Sequence, residues 1–193
     1  CKALVIPPAW EEVWICPHPN GHLQAVGTDS AGRKQYLYHP FWVEKRAAEK
    51  YDRVLTFGQR MPQVRERVLA DLAGDTLTEE QAWALAVRLI DVGYFRIGND
   101  AYTLEHGSYG LTTLERRHVR RRGDALVFDF VGKSGVEHSI EVEDPVVIEV
   151  LERMRRRRAA GDPRLLAFKE GGRWRSLTSA GVNEYVRAVS GFE

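Results

Sequence analysis

Residues 118–142 have the sequence HVRRRGDALVFDFVGKSGVEHSIEV, and this stretch decides the fold class. It contains two turn signals, Gly123-Asp124 and the run 132–135 (Gly-Lys-Ser-Gly), which separate three segments rich in strand-forming residues. Glycine suits such turns because it adopts positive φ without steric cost. We therefore predict a three-stranded antiparallel sheet built from residues 118–122, 125–131 and 136–142.

Helical patterns lie on both sides of this predicted sheet. Downstream, Asp144 and Pro145 are typical of a helix start, and we predict a helix through Arg158. A short strand at 165–168 and a last helix, from the Thr178 cap to residue 189, complete this side.

Upstream, Thr78 and Gln81 form a capping-box pattern before a helix. Its apolar stripe comprises Ala82, Leu85, Ala86 and Leu89. Before it, Gly58 and Pro62 predict a break between two helices.

The first forty residues have a different pattern, with predicted strands at 13–16, 22–26 and 34–38 separated by turns. The hydrophobic period changes from 2 to 3.6 between Pro40 and Glu44. We therefore expect an α+β protein with a small antiparallel β N-terminal domain, residues 1–43, which is incomplete. A mainly helical domain with a three-stranded antiparallel sheet follows, over residues 44–193.

Composition excludes some classes of protein. No apolar run approaches the roughly 20 residues that span a bilayer, and no signal-peptide pattern opens the chain. Two cysteines, Cys1 and Cys16, cannot build a disulfide framework, which indicates an intracellular protein. Cys16, His18 and His22 match no common zinc spacing, so we predict no metal site.

Three segments carry polar groups that the fold alone does not explain. Each group has a structural interpretation and a functional one. On a strand, Lys34, Tyr36 and Tyr38 share one face, which either contacts nucleic acid or holds half-buried tyrosines. Arg96, between apolar residues, needs an anionic partner, either a structural carboxylate or a phosphate. Lys133 projects from a glycine-flanked turn, where an exposed lysine is ordinarily without function.

Taken in order, these segments resemble the poxvirus-like type IB DNA topoisomerases of bacteria. The matching stretches run through nearly the whole chain: 6–10, 20–25, 32–39, 88–91, 96–98, Tyr102, 110–114 with His118-Val119, and 130–135.

The resemblance implies a protein clamp that closes around duplex DNA and relaxes supercoils through a 3′-phosphotyrosyl intermediate, without ATP, metal or other cofactor. It makes Arg96 one of two arginines on the scissile phosphate and Lys133 the general acid. It also implies a set of DNA-contacting residues: Arg33, Lys34, Gln35, Tyr36, Tyr38, Tyr102 and Thr113. We expect a cytoplasmic, nucleoid-associated monomer with duplex DNA as partner and no membrane association.

The departures from the family pattern carry an expectation of their own. The second catalytic arginine of the family, in a Lys-Asp-aromatic-Arg-Thr segment, has no counterpart in the chain, nor do the catalytic histidine and the nucleophilic tyrosine. We assign Tyr185 to packing. The chain is therefore expected to be truncated at both ends and unable to cleave DNA.

Two alternatives stay open. A tyrosine recombinase shares the catalytic fold, the first arginine and the hairpin lysine, but it lacks the N-terminal segment at 6–25. The chain could also be a DNA-binding module without cleavage activity, in which case binding to duplex DNA would depend on salt but no nick would form.

Overall fold

The computed structural model describes residues 4–100, 103, 107–158 and 163–192. The chain folds into two compact units, Cys1–Gln59 and Arg60–Glu193. The expected domain border between residues 43 and 44 stays a prediction. No helix within the described residues is both long and apolar enough to cross a membrane.

The α+β class is confirmed: a small antiparallel sheet comes first, followed by helices and further antiparallel sheets. The strands are β1 (Glu11–Ile15), β2 (Leu23–Thr28), β3 (Lys34–Tyr38), β4 (Val119–Arg122), β5 (Ala125–Val131), β6 (Glu137–Val142), β7 (Ala167–Glu170) and β8 (Arg173–Ser176). The helices are α1 (Pro40–Leu72), α2 (Glu79–Gly93), α3 (Pro145–Arg155) and α4 (Ser179–Ser190).

The sheet of the first unit has the order β1-β2-β3, with both pairs antiparallel. One of its faces is covered from within the unit. Ala25 on that face is fully buried, and a Cβ atom at Gly27 would lie 2.6 Å from a ring carbon of Trp10. The Trp10 indole therefore rests directly on the Gly27 backbone, where only glycine leaves enough room.

The predicted break between Gly58 and Pro62 is wrong, because α1 runs through both residues from Pro40 to Leu72. Proline inside a helix removes one hydrogen bond and crowds the carbonyl four residues earlier. Here that carbonyl belongs to Gly58, whose lack of a side chain makes the local backbone adjustment easier. The border between the two compact units falls in the same place, at Gln59 and Arg60.

In the second unit, α2 packs its predicted stripe into the core, and all four residues of that stripe are fully buried. The Thr78 hydroxyl accepts a hydrogen bond from the Gln81 backbone at 3.2 Å, as its capping role predicts. The Gln81 amide does not return to the cap but donates to the Leu72 carbonyl at 2.8 Å. It thereby satisfies a carbonyl at the end of α1.

The three-stranded sheet is confirmed with the order β4-β5-β6. Phe128 at its centre is fully buried. Asp144 caps α3 as predicted, accepting from the backbone of Val146 and Val147. Helix α3 ends at Arg155 rather than at residue 158. After it, the buried Arg157 guanidinium donates to the Met154 carbonyl at 3.1 Å and to the Leu165 carbonyl at 2.8 Å.

The last part of the chain contains a strand that the pattern did not predict. Strand β8 pairs with β7 in a hairpin whose turn is Gly171-Gly172, both at positive φ. With Arg173 and Arg175 exposed and Trp174 only partly covered, β8 has no apolar face that the sequence could display. Thr178 then caps α4, as expected.

Candidate functional site

Arg96 follows a firmly packed aromatic anchor at the end of α2. Phe95 is only 4% exposed, and its ring centroid lies 4.9 Å from that of Phe128 and 6.0 Å from that of Phe130. Arg96 itself is exposed, and its side chain makes no ion pair or hydrogen bond within the described residues. A fixed backbone thus presents a guanidinium that no carboxylate of the described part of the chain neutralises.

The backbone after Arg96 is held by a second segment. The Leu111 amide donates to the Arg96 carbonyl at 2.8 Å, and the Thr112 amide donates to the Ile97 carbonyl at the same distance. Gly98, at φ 90°, and Gly110 meet backbone to backbone, since a Cβ atom at Gly98 would lie 2.8 Å from the Gly110 Cα. Neither position has room for a side chain without backbone movement.

Lys133 occupies the turn between β5 and β6. The Gly132 amide donates to the Val136 carbonyl at 2.7 Å, and Ser134 and Gly135 both have positive φ, so the turn is tight and closed. The His138 ring, stacked on Phe130 with 5.1 Å between centroids, lies directly against Gly132. Lys133 is exposed, and its ammonium makes no ion pair within the described residues.

The backbone at Arg96 and the turn that carries Lys133 are both linked to residues 109–112. The Tyr109 amide donates to the Val131 carbonyl at 2.8 Å, two residues before Lys133. Residues 109–112 therefore bond the end of β5 at one end and the Arg96 backbone at the other. Phe130 provides a second link, because it stacks between Phe95, beside Arg96, and His138, beside the lysine turn.

Thr113 and Tyr102 are the two DNA contacts predicted in this unit, and both contacts stay predictions. The Thr113 side chain is 1% exposed, and its hydroxyl accepts from the Gly110 amide at 2.9 Å and donates to the Gly110 carbonyl at 3.0 Å. In this conformation Thr113 stabilises the turn that supports Arg96 rather than facing solvent. Tyr102 lies outside the described residues, so its predicted contact stays a prediction.

Charged residues at the start of β3 are paired with acids in the first unit. The Arg33 guanidinium contacts Asp29 at 2.8 Å, and this hydrogen-bonded pairing lowers the pKa of Asp29 to about 2. The Gln35 amide donates to the same carboxylate at 2.9 Å. Lys34 contacts Glu12 at 3.2 Å and donates to the Thr28 hydroxyl at 3.0 Å. Each of these three side chains thus has a polar partner within the first unit.

Tyr36 and Tyr38 share the exposed face of β3 with Lys34, as the strand period predicts. Their rings stack with 6.3 Å between centroids, and each side chain is about half exposed. The sequence interpretation missed a third aromatic residue on this face. Trp14 pairs with Val26, and Val26 pairs with Tyr36, which aligns the three residues across the sheet.

Tyr185 is placed in the core, in agreement with its assignment to packing. It is 6% exposed on α4, and its hydroxyl donates to an Asp71 carboxylate oxygen at 2.7 Å. Burial raises the pKa of Tyr185 well above its usual value. A phenol in this environment is a poor nucleophile, because the reactive phenolate is disfavoured.

Comparison with known proteins agrees with this geometry. Residues 33–191 match the family model described as eukaryotic DNA topoisomerase I, catalytic core, and residues 1–29 match bacterial DNA topoisomerase IB, N-terminal domain. The chain belongs to the type IB DNA topoisomerase family. The two family models together cover most of both units. The covered residues include Arg96, the turn at Lys133 between β5 and β6, and the exposed face of β3.

Two viral relatives resemble this topoisomerase-family chain over most of its length. DNA topoisomerase 1B of Acanthamoeba polyphaga mimivirus is 30% identical over 146 residues, 76% of this chain and 44% of the relative. DNA topoisomerase 1B of vaccinia virus (strain Copenhagen) is 32% identical over 137 residues, 69% of this chain and 40% of the relative. The chain therefore spans less than half the length of these relatives.

Proposed function

We propose that this chain supplies part of the DNA-binding surface and two of the catalytic groups of a poxvirus-like bacterial type IB topoisomerase. Its substrate is duplex DNA, which the whole enzyme relaxes as a monomer at the nucleoid, without ATP. The observation that carries the proposal is the common support of Arg96 and Lys133 by residues 109–112, with neither cation neutralised within the described residues.

In this proposal Arg96 binds the nonbridging oxygens of the scissile phosphate. A guanidinium donates two parallel hydrogen bonds to such oxygens and keeps its charge at every physiological pH. Because its backbone is fixed by Leu111 and Thr112, little reorganisation is needed when negative charge develops in the transition state. The buried Phe95 ring, packed against Phe128, also holds the backbone beside Arg96 in place.

Lys133 donates a proton to the departing 5′ oxygen. As the phosphorus–oxygen bond breaks, the oxygen gains the electron pair and the ammonium proton, so a hydroxyl leaves instead of an alkoxide. A tyrosine oxygen takes the place of the leaving group on phosphorus, which conserves the bond for resealing. Tyr185 does not supply that oxygen, since its hydroxyl is held by Asp71 in the core.

The 193-residue chain by itself is therefore proposed to bind DNA without cleaving it. Binding of a fluorescent duplex across a series of salt concentrations tests the shared phosphate site. Arg96→Ala and Lys133→Ala should each weaken binding and reduce the slope of log K against log salt by about 0.9, the value for one lost phosphate contact. Arg173→Ala removes an exposed charge from the β7–β8 hairpin and serves as the control.

Three outcomes are informative. Loss of slope in the two site variants but not in Arg173→Ala supports the proposal. A slope that is unchanged in both site variants, with binding retained, contradicts the shared phosphate site. A flat titration at low salt contradicts DNA binding by this chain altogether.

A further inference from the structure

The exposed face of the first sheet extends across all three of its strands. Trp14 on β1, Val26 on β2 and Tyr36 on β3 are directly paired neighbours, so their side chains project from the same face. Trp14 is 48% exposed and Tyr36 is 51% exposed, while Val26 between them is partly covered. An indole and a phenol thus flank an aliphatic side chain in one continuous row.

The indole of Trp14 is not needed to close a core within its unit. The opposite face carries the fully buried Ala25 and is covered by Trp10 at Gly27. Every residue of β1 is exposed, and Trp14 keeps about half of its surface accessible to water in the folded unit. A large aromatic side chain left half in water is typical of a binding surface, where indole and phenol combine an apolar body with a polar tip.

Charge on this face fits an anionic partner. Lys34 lies on the same side as Tyr36 and Tyr38. Arg33 precedes it and is paired with Asp29. Glu12 on β1 is 77% exposed and holds the Lys34 ammonium at 3.2 Å, a contact that an exposed pair makes only weakly. A phosphate can therefore replace this carboxylate at low cost.

We infer that Trp14 is a DNA-contacting residue that continues the Tyr36–Tyr38 surface onto β1. Its indole packs against sugar and base-edge atoms of duplex DNA, beside a phosphate bound by Lys34. This inference rests on the proposed function and adds an apolar contact to it. The apolar character separates Trp14 from the basic residues, because only contacts that neutralise a phosphate release counterions.

Equilibrium binding of a fluorescent duplex, measured for the full 193-residue chain at several salt concentrations, tests the inference. Trp14→Ala should weaken binding by about fivefold to tenfold, as for one lost aromatic contact, with the same affinity ratio at every salt concentration. Lys34→Ala should instead reduce the slope of log K against log salt by about 0.9.

Two further variants separate contact from folding. Ile15→Ala truncates the next residue of β1, which pairs with the buried Ala25 on the opposite face, and should leave affinity unchanged. Trp14→Phe retains an aromatic ring and should recover most of the affinity lost in Trp14→Ala. Thermal melts of all four variants show whether the sheet is intact.

The possible results are distinguishable. Equal affinity of Trp14→Ala and the parent chain overturns the inference alone, provided that the Arg96 and Lys133 variants still weaken binding. Equal losses in Trp14→Ala and Ile15→Ala also overturn it, because they indicate a damaged sheet. Absence of DNA binding by the parent chain overturns both the inference and the proposed function. Concentration-dependent self-association that Trp14→Ala abolishes would instead assign this face to a second copy of the chain.

Discussion

Single basic residues in this chain differ in whether a nearby acid neutralises them. The arginine-rich run at 116–122 is the most basic part of the sequence, yet Arg120 contacts Asp129 at 3.1 Å and Arg122 contacts Glu141. Arg96 and Lys133 stand in much less basic stretches and have no acidic partner within the described residues. Because a cation without an acidic partner has no ion pair to give up when it binds a phosphate, local pairing adds to local charge density as a guide to a phosphate site.

The pairing of Arg33 with Asp29 leads to a prediction about pH. The hydrogen bonds from Arg33 lower the pKa of Asp29 to about 2, below the ordinary value of about 3.9 for the unfolded chain. A lowered pKa in the folded state stabilises the turn above about pH 4, and this contribution is lost as the pH falls from about 4 to about 2. Carboxyl titration by NMR should therefore place the Asp29 midpoint near 2.

The matched variant is Arg33→Ala, which should move the Asp29 midpoint upward, towards the ordinary value. Arg46→Ala removes an arginine that pairs with Glu49 on α1 and should leave the Asp29 midpoint in place. Duplex DNA that draws Arg33 away from Asp29 should also raise the midpoint. An Asp29 midpoint that is insensitive to Arg33→Ala would show that the pair does not form in solution.

At the level of elements, the close approach of two glycines fixes the arginine segment. Gly98 and Gly110 allow residues 96–98 and 110–112 to pair at hydrogen-bonding distance. Arg96 is therefore positioned by backbone contacts rather than by contacts of its own side chain. Its location depends on whether those two segments of chain can touch.

Gly98→Ala is predicted to destabilise the second unit and to weaken DNA binding. Alanine at a positive φ costs about 1–2 kcal/mol, and overpacking against the Gly110 backbone adds about 1–3 kcal/mol. Gly74→Ala is the matched control, because Gly74 has φ 104° but open space around its Cβ position. Thermal unfolding should show a clearly lower Tm for Gly98→Ala than for Gly74→Ala, and equal Tm values would contradict a tight approach at Gly98.

Elements with a clear pattern were predictable from the sequence, and elements defined by tertiary contact were not. The stripe of α2 and the two turns around β5 identify their elements because local period and glycine placement agree with the fold. The break at Gly58 and Pro62 was wrong because tertiary context overrides the local penalty of a single proline. Strand β8 was missed because exposed arginines at Arg173 and Arg175 hide any alternation.

In the candidate site, too, local patterns were predictable from the sequence and tertiary contacts were not. Strand alternation was enough to place Lys34, Tyr36 and Tyr38 on one face. Trp14 was missed because a bulge between Glu11 and Trp14 shifts the register of β1, and only the pairing with Val26 reveals its face. The predicted DNA contact of Thr113 stays a prediction, and its motif did not indicate that the hydroxyl bonds the Gly110 backbone.

For the whole molecule, net charge and the proposed function lead to different expectations. With 28 basic and 27 acidic residues, the formal net charge is only +1, so long-range attraction to DNA is weak. The proposed function nevertheless requires the chain to bind duplex DNA. Binding by this chain therefore has to come from a few local contacts at the proposed sites, which makes it sensitive to single substitutions.

The last prediction concerns cleavage by the 193-residue chain. Mixed with supercoiled plasmid, it should produce neither relaxed topoisomers nor a covalent protein–DNA complex that survives denaturation. In the proposed function Arg96 stabilises charge and Lys133 donates a proton, but strand exchange also needs an attacking tyrosine oxygen. The nucleophile motif expected from the family resemblance has no counterpart in the sequence, and Tyr185 is buried with a raised pKa. The vaccinia virus DNA topoisomerase 1B relative serves as the positive control, and a duplex-binding measurement in the same buffer shows that the chain is folded. A denaturation-resistant complex that maps to a tyrosine of this chain would contradict the prediction and would place the nucleophile within these residues.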